Sequence, residues 1–157
     1  MNREWGFTHR SVVDADVDAV WRRVISPAGI NDEMRPWLTM SPPRGQEQLS
    51  IDTVRLGEPI GRAWLRLGGV VPVDYDHLSI VELEPGRRFR EESTMLSMRR
   101  WVHERTVSPA PGGGTVVEDR IVLAPRAALV GLGPVLRTAI AAFFRHRHRR
   151  LARHFGG

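Results

Sequence analysis

The sequence predicts an α+β fold in which a curved antiparallel sheet is covered on one side by a single long C-terminal helix. Two observations carry this. Between Ile60 and Ala124 the chain runs as strand-like segments separated by short Gly/Pro turns, and such short connections make consecutive strands antiparallel hairpins. From Pro134 to about Phe155 the apolar residues Leu136, Ile140, Phe143, Phe144, Leu151 and Phe155, with Leu132 just before them, recur on one helical stripe. A curved sheet with one apolar face needs a cover, and this stripe supplies it. A chain of 157 residues is one domain by length, long enough to bury about 70% of its unfolded surface. The gap between a bent sheet and a helix is a natural cavity.

The elements follow in order. Glu4 to Val13, with Trp5, Phe7, Val12 and Val13, reads as the first strand. Asp14 or Asp16 offers a helix N-cap, and Val17, Val20, Trp21, Val24 and Ile25 form a short amphipathic helix. Ser26-Pro27 ends it and starts a second, Pro27 to Glu33. Met34 to Met40 is a short strand or irregular, and Ser41 to Glu58, rich in Pro and Gly, is a long loop of the kind that often covers a binding site. Strands are then expected at Ile60–Gly69, Val73–Leu83, Arg87–Met95, Met98–Ser108 and Thr115–Ala124. Trp5 and Trp21 are expected between the first helix and the sheet. Trp64 is expected to face outward and stack on Arg62 and Arg66.

Composition excludes several chemistries. The apolar share is 41% and the charged share 26%, ordinary globular usage. There is no cysteine, hence no disulfide, thiolate metal site or cysteine nucleophile. All 23 basic residues are arginine, so Schiff-base and P-loop lysine chemistry are absent. The excess of +5 sits between Arg145 and His154, where five arginines and three histidines meet no acid. Met1-Asn2-Arg3-Glu4-Trp5 has no apolar signal core, and no run approaches 18 uninterrupted apolar residues. A cytoplasmic location without a transmembrane segment is therefore expected. His146 and His148 fall on different helix faces, and His148 and His154 are poorly aligned. Gly112-Gly113-Gly114 is a hairpin turn with no helix after it, not a phosphate loop. No metal and no cofactor is expected.

Alternation locates a candidate site. A three-residue loop, Ala110 to Gly112, would pair Pro109 with Gly113 and set His103 opposite Asp119, Trp101 opposite Ile121 and Arg105 opposite Val117. A slip of two would set Arg105 opposite Asp119. In either register Trp101, His103, Arg105, Asp119 and Ile121 share a face, while Val102, Glu104, Thr106, Glu118 and Arg120 face water. On the preceding strand Phe89, Glu91, Ser93 and Met95 face inward, with Glu91 opposite His103. Unpaired charges on a concave face are costly, so Glu91, His103, Arg105 and Asp119 are expected to form a hydrogen-bonded network. That network reads either as a polar anchor in an apolar pocket or as a structural device that sets sheet register. Trp37 beside the long loop is placed at the pocket entrance. Ile140, Phe143 and Phe144 of the helix, with Met95 and Met98 of the sheet, serve as core, as lining or as both.

Particular residues carry a family resemblance. Val17-Asp18-Ala19-Val20-Trp21 ahead of Ser26-Pro27-Ala28-Gly29-Ile30 resembles the first-helix signature of the START-like, Bet v 1-like (SRPBCC) superfamily. Trp101-Val102-His103, then Gly113-Gly114-Thr115, then Asp119-Arg120-Ile121 resembles a pattern of its bacterial polyketide cyclase/dehydrase-like branch. Phe144-Arg145-His146-Arg147 resembles the branch's helix end, with His146 in place of an aromatic residue. The resemblance covers nearly the whole chain and is weakest over Ser41–Glu58. It implies a helix-grip fold with an internal cavity that binds lipids, polyketide-like aromatics or other apolar molecules.

Three functions follow. The first is a non-enzymatic carrier or sensor of a small hydrophobic molecule, with Trp37, Phe89, Glu91, Met95, Trp101, His103, Arg105, Asp119, Ile121, Ile140, Phe143 and Phe144 as the candidate ligand site. The second is a cyclase or dehydrase with His103 as base, Asp119 as its orienter and Arg105 stabilising enolate charge. The third is an anionic-partner module using Arg145, Arg147, Arg149, Arg150 and Arg153. The bland reading of that tail, dipole complementation and pairing with acids, leaves nucleic acid unexpected.

Overall fold

A computed structural model describes residues 3–46 and 50–156; expectations at Met1, Asn2 and loop positions 47–49 lie outside them. The elements are β1 (Trp5–Val13), α1 (Val17–Val24), α2 (Pro27–Met34), β2 (Leu38–Ser41), a 3-10 turn (Ile51–Thr53), β3 (Gly61–Leu67), β4 (Val71–Leu78), β5 (Ile80–Glu84), β6 (Arg88–Met95), β7 (Met98–Pro109), β8 (Thr115–Pro125), a 3-10 turn (Ala127–Leu132) and α3 (Gly133–His154). The sheet is antiparallel in the order β1-β8-β7-β6-β4-β3-β2, with β5 also paired to β6. With α3 against its inner face and two short helices after β1, this is the helix-grip fold.

Local chemistry sets the element ends. Asp16 caps α1 by accepting from Ala19 N at 2.8 Å, and Ser26 caps α2 by accepting from Gly29 N at 3.0 Å, with Pro27 in its first turn. Each cap satisfies an amide that the first helical turn leaves unpaired. Gly112, Gly113 and Gly114 all have positive φ, a region that costs glycine little. They build a five-residue connection in place of the expected three, so Pro109 pairs with Thr115 and Arg105 faces Asp119. The register slipped by two is the one adopted. A shift of two keeps every side chain on its face, so the inward set survives.

Several sequence expectations need correction. The single strand expected over Val73–Leu83 is two strands that break at Ser79, whose amide donates to Ser93 Oγ at 3.1 Å. The break lets β4 pair with Thr94 and Met95 while β5 pairs with Arg88 to Glu91. Trp5 does not sit under α1. It is half-buried at the start of α3, where a Cβ on Gly133 would come within 2.2 Å of its ring. Val102, expected to face water, is buried; Glu92 lies opposite it and accepts from Arg100 Nε at 3.0 Å. The other expectation for Trp64 also changes: its ring packs on Tyr75, and Arg62 lies over Tyr75 rather than over the indole.

The core has two apolar clusters. One joins Val20, Trp21 and Val24 of α1 to Phe89, Val107, Val117 and Leu151. The other joins Leu65, Met95, Met98, Ile121 and Leu123 to Phe144, with Trp101, Ile140 and Phe143 packed against it. By length and composition alone Ala127–His154 passes for a helix able to cross a membrane, a likeness that the count of uninterrupted apolar residues does not show. In this fold it is the covering helix: Phe144 meets Phe7, Trp101 and His103 edge-on or tilted, and Leu151 is buried. Leu132, expected on its apolar stripe, is half exposed.

Gly29 marks the tightest helix junction. A Cβ there would stand 1.8 Å from the carbonyl oxygen of Arg23, a backbone atom that cannot swing aside. We expect Gly29→Ala to destabilise the protein by about 1–3 kcal/mol, as overpacking does. Gly131→Ala, with nothing within 4 Å of its Cβ, is expected to stay within about 0.5 kcal/mol. Urea denaturation of the two variants makes the comparison; equal stabilities would contradict the assigned packing.

Candidate functional site

A cavity of about 360 Å³ lies between the sheet, α2 and α3. Its wall is mostly apolar: Val24, Ile30, Met34, Met40, Ile51, Leu65, Val73, Phe89, Met95, Met98, Trp101, Leu136, Ile140, Phe143 and Phe144 all contribute. The polar exceptions are Asp74, Asp76, Glu91, Ser97, His103 and Arg147. Alternation on β4, β6 and β7 brings Asp74 and Asp76, Phe89 and Glu91, and Trp101 and His103 to the inner face. The one-turn spacing of Leu136, Ile140, Phe143 and Arg147 does the same for α3.

Behind His103 stands a fully buried ionic network. Asp119 and Arg105 are both 0% exposed and face one another across β7 and β8. Arg105 donates through Nε to Asp119 Oδ1 at 2.7 Å and through Nη2 to Oδ2 at 2.6 Å. Its Nη1 donates to both oxygens of Glu33 on α2, at 2.8 and 2.9 Å. Arg147 on α3 gives Nε to Glu33 Oε1 at 3.3 Å. Two imidazoles complete Asp119: His103 Nε2 at 2.8 Å on Oδ1 and His148 Nε2 at 2.7 Å on Oδ2. Two arginines and two carboxylates cancel in charge, the condition under which buried ions are tolerated.

The electrostatics fix the proton positions. Burial alone would raise the Asp119 carboxyl, but Arg105 and His103 hold it well below the usual range. Burial works against the Arg105 charge too, yet Asp119 and Glu33 raise its pKa above the ordinary value. Arg147 shifts the other way, lowered by burial more than Glu33 restores. An ionised Asp119 only accepts, so both imidazoles donate through Nε2. His148 Nδ1 is hydrogen-bonded to Ser11 Oγ at 2.5 Å. His103 Nδ1 bonds to no described residue, and His103 lines the cavity.

A second titratable cluster lies beside His103 on the neighbouring strands, with Glu91 its direct cross-strand partner. Asp76 is 2% exposed and Glu91 is buried. Glu91 accepts from Ser93 Oγ at 2.8 Å, while Asp76 Oδ1 has no hydrogen-bond partner among the described residues. Burial, then the neighbouring Glu91 carboxyl, pushes the Asp76 pKa well above its ordinary value.

Of the candidate ligand residues, Phe89, Glu91, Met95, Trp101, His103, Ile140, Phe143 and Phe144 line the cavity. Arg105, Asp119 and Ile121 do not: they stand behind the wall, and every Arg105 nitrogen is engaged by Asp119 or Glu33. This removes Arg105 as an enolate stabiliser. Trp37 is not among the cavity-lining residues. It is 58% exposed, with its ring near His146 on the outer part of α3. The arginine-rich tail is only partly free, since Arg147 is buried and Arg150 donates to the Asp32 carboxyl at 2.9 Å. Glu33, Arg147, His148, Asp74 and Asp76 escaped the sequence reading. Arg147 and His148 lie between Phe144 and Leu151 on the apolar stripe, a signal hidden by the surrounding arginines. Among the described residues no group of His, Asp and Glu has the geometry of a metal site.

The family model described as "Domain of unknown function (DUF8410)" matches residues 11–155. The chain belongs to this family. No curated protein matches the DUF8410 chain. Among solved structures it resembles protein CV1439 from Chromobacterium violaceum, at TM-score 0.66 and 15% identity over 97% of this chain and 98% of that one. A START superfamily protein from Mycobacterium smegmatis gives TM-score 0.66 and 8% identity over 96% and 97%. The di-domain ARO/CYC BexL from the BE-7585A biosynthetic pathway gives TM-score 0.61 and 18% identity, covering 98% of this chain and 50% of BexL. The DUF8410 fold is therefore the START-like, polyketide cyclase-like helix-grip fold.

Two stability measurements follow. Arg105→Met leaves buried Glu33 with Arg147 alone and buried Asp119 with its two imidazoles alone, and is expected to cost about 3–5 kcal/mol in denaturant unfolding; a near-neutral result would mean the network does not hold the fold. Asp76 behaves oppositely. The folded state binds its proton more tightly than the unfolded chain, so stability falls as pH rises from the ordinary value of 3.8 toward the raised one. Asp76→Asn should thus raise Tm at mildly alkaline pH, with the gain shrinking in mild acid. A gain independent of pH would assign it to another cause.

Proposed function

We propose that the protein binds a small, largely apolar molecule in the cavity between sheet and helix, as a carrier or sensor. The observation that carries this is a volume of about 360 Å³ left open in an otherwise packed interior and walled mostly by aliphatic and aromatic side chains. That size falls in the range of small-molecule sites. An empty apolar space forfeits contacts that a tighter core would make, and a ligand restores them. The solved relatives support the reading by fold, and BexL, an ARO/CYC protein by its description, supports a ring-bearing guest.

Catalysis is the second reading, favoured by one observation: His103 lines the cavity while ionised Asp119 accepts from its Nε2. This is the arrangement of an oriented general base. Any turnover that persists in His103→Ala would remove it.

Thermal shift and native mass spectrometry with neutral apolar probes test the binding reading. A probe at a hundred times its Kd should stabilise the fold by about 2.7 kcal/mol. Ile140→Trp fills the cavity from α3 and is expected to weaken binding at least about tenfold, a loss of about 1.4 kcal/mol. A full panel without stabilisation, or undiminished binding in Ile140→Trp, would argue against an internal site.

A further inference from the structure

We propose that the cavity selects an apolar molecule carrying a protonated amine, seated with its N–H donors on the Asp76 and Glu91 carboxyls. This rests on the cavity reading above and narrows its ligand class.

The first ground is an unmet hydrogen bond. Asp76 is 98% withdrawn from solvent, lines the cavity, and has a side-chain oxygen with no partner among the described residues. A buried carboxyl with an unsatisfied oxygen is costly, and a ligand that brings a donor to this cavity-lining carboxyl lowers the cost. Glu91 has one donor, Ser93 Oγ, and an ionised carboxyl accepts several.

The second ground is charge. Arg147, the arginine on the cavity wall, is tied to Glu33, and Arg105 behind the wall is tied to Asp119 and Glu33. That network is neutral within itself. Neither Asp76 nor Glu91 forms an ion pair with any described residue, and His103, opposite Glu91 on the sheet, gives its Nε2 to Asp119. Asp74 adds negative charge at the rim and is already engaged, its carboxylate accepting from Ser97 Oγ and from Tyr75 N at 2.8 Å. Burial and the neighbouring Glu91 carboxyl disfavour the ionised form of Asp76, and the two acids share one stretch of mostly apolar wall with no cation paired to either. An alcohol would bring a donor but no counter-charge. An ammonium group brings both, and a carboxylate or phosphate would be repelled.

The third ground is the lining. Phe89, Trp101, Phe143 and Phe144 present aromatic rings to the same space, and ring faces attract a desolvated cation. The overall charge of +5 works against non-specific uptake of cations, so a preference for an amine has to come from the site.

The test compares 4-phenylbutylamine with 4-phenylbutan-1-ol, two probes of similar shape, by calorimetric titration at constant neutral pH. The wild-type protein is expected to bind the amine at least about tenfold more tightly, a factor equivalent to about 1.4 kcal/mol. In the double variant Asp76→Asn/Glu91→Gln, which keeps shape and removes the charge, the two affinities should converge. Alcohol binding by that variant shows that its cavity is intact. Should the double variant fail to fold, the wild-type ratio alone decides. Equal affinities in the wild type, or an amine preference that persists undiminished in the double variant, overturn the acid-pair proposal and leave the cavity reading standing. Binding of neither probe brings both down.

Discussion

The guanidinium of Arg105 is the point on which the architecture turns. It is fully buried, it bonds across the β7–β8 ladder to Asp119, and it reaches to Glu33 on α2. Arg147 brings α3 to the same Glu33, and His148 brings α3 to Asp119. One cation therefore ties the sheet to both helices that wall the cavity. A planar fork with fixed donors suits this better than a flexible ammonium, in keeping with a chain that uses arginine alone for its basic residues. Such networks contribute little net stability compared with an apolar core; what this one supplies is a fixed relation between helix and sheet.

That rigidity has a functional side. α2 and α3 meet at Glu33 and together with the sheet wall the space beside Phe143 and Phe144. The network also consumes its own charges, so the cavity does not feel a bare cation from Arg105. Among the described residues, the buried acids on the wall left without a counter-charge are Asp76 and Glu91, with the half-buried Asp74 nearby held by neutral donors. A pair of acids in an apolar space is unfavourable for folding and meaningful for binding, the usual sign of a site where stability yields to function.

Much of the site was legible from alternation alone. Trp101, His103, Arg105 and Asp119 share a face in either hairpin register, and Glu91 opposite His103 follows from the short turn at Leu96-Ser97. The glycine run hid the register, because three consecutive glycines with positive φ accommodate loops of more than one length. Glu33 was not legible: a lone carboxylate near the end of a short helix looks solvated until a partner from 72 positions away arrives. Arg147 and His148 were obscured by a tail whose composition suggests surface. Asp76 was lost because its strand reads continuously to Leu83, while the break at Ser79 re-aims it.

What the sequence determined by itself is the order and type of the elements, since hydrophobic period, caps and turns are properties of neighbouring residues. It also determined which side of β6, β7 and β8 faces inward. Tertiary structure decided which inward polar groups meet, which of them stand behind the cavity wall, and which remain unpaired on it. Those outcomes depend on distances between segments far apart in the chain, and no local pattern encodes them.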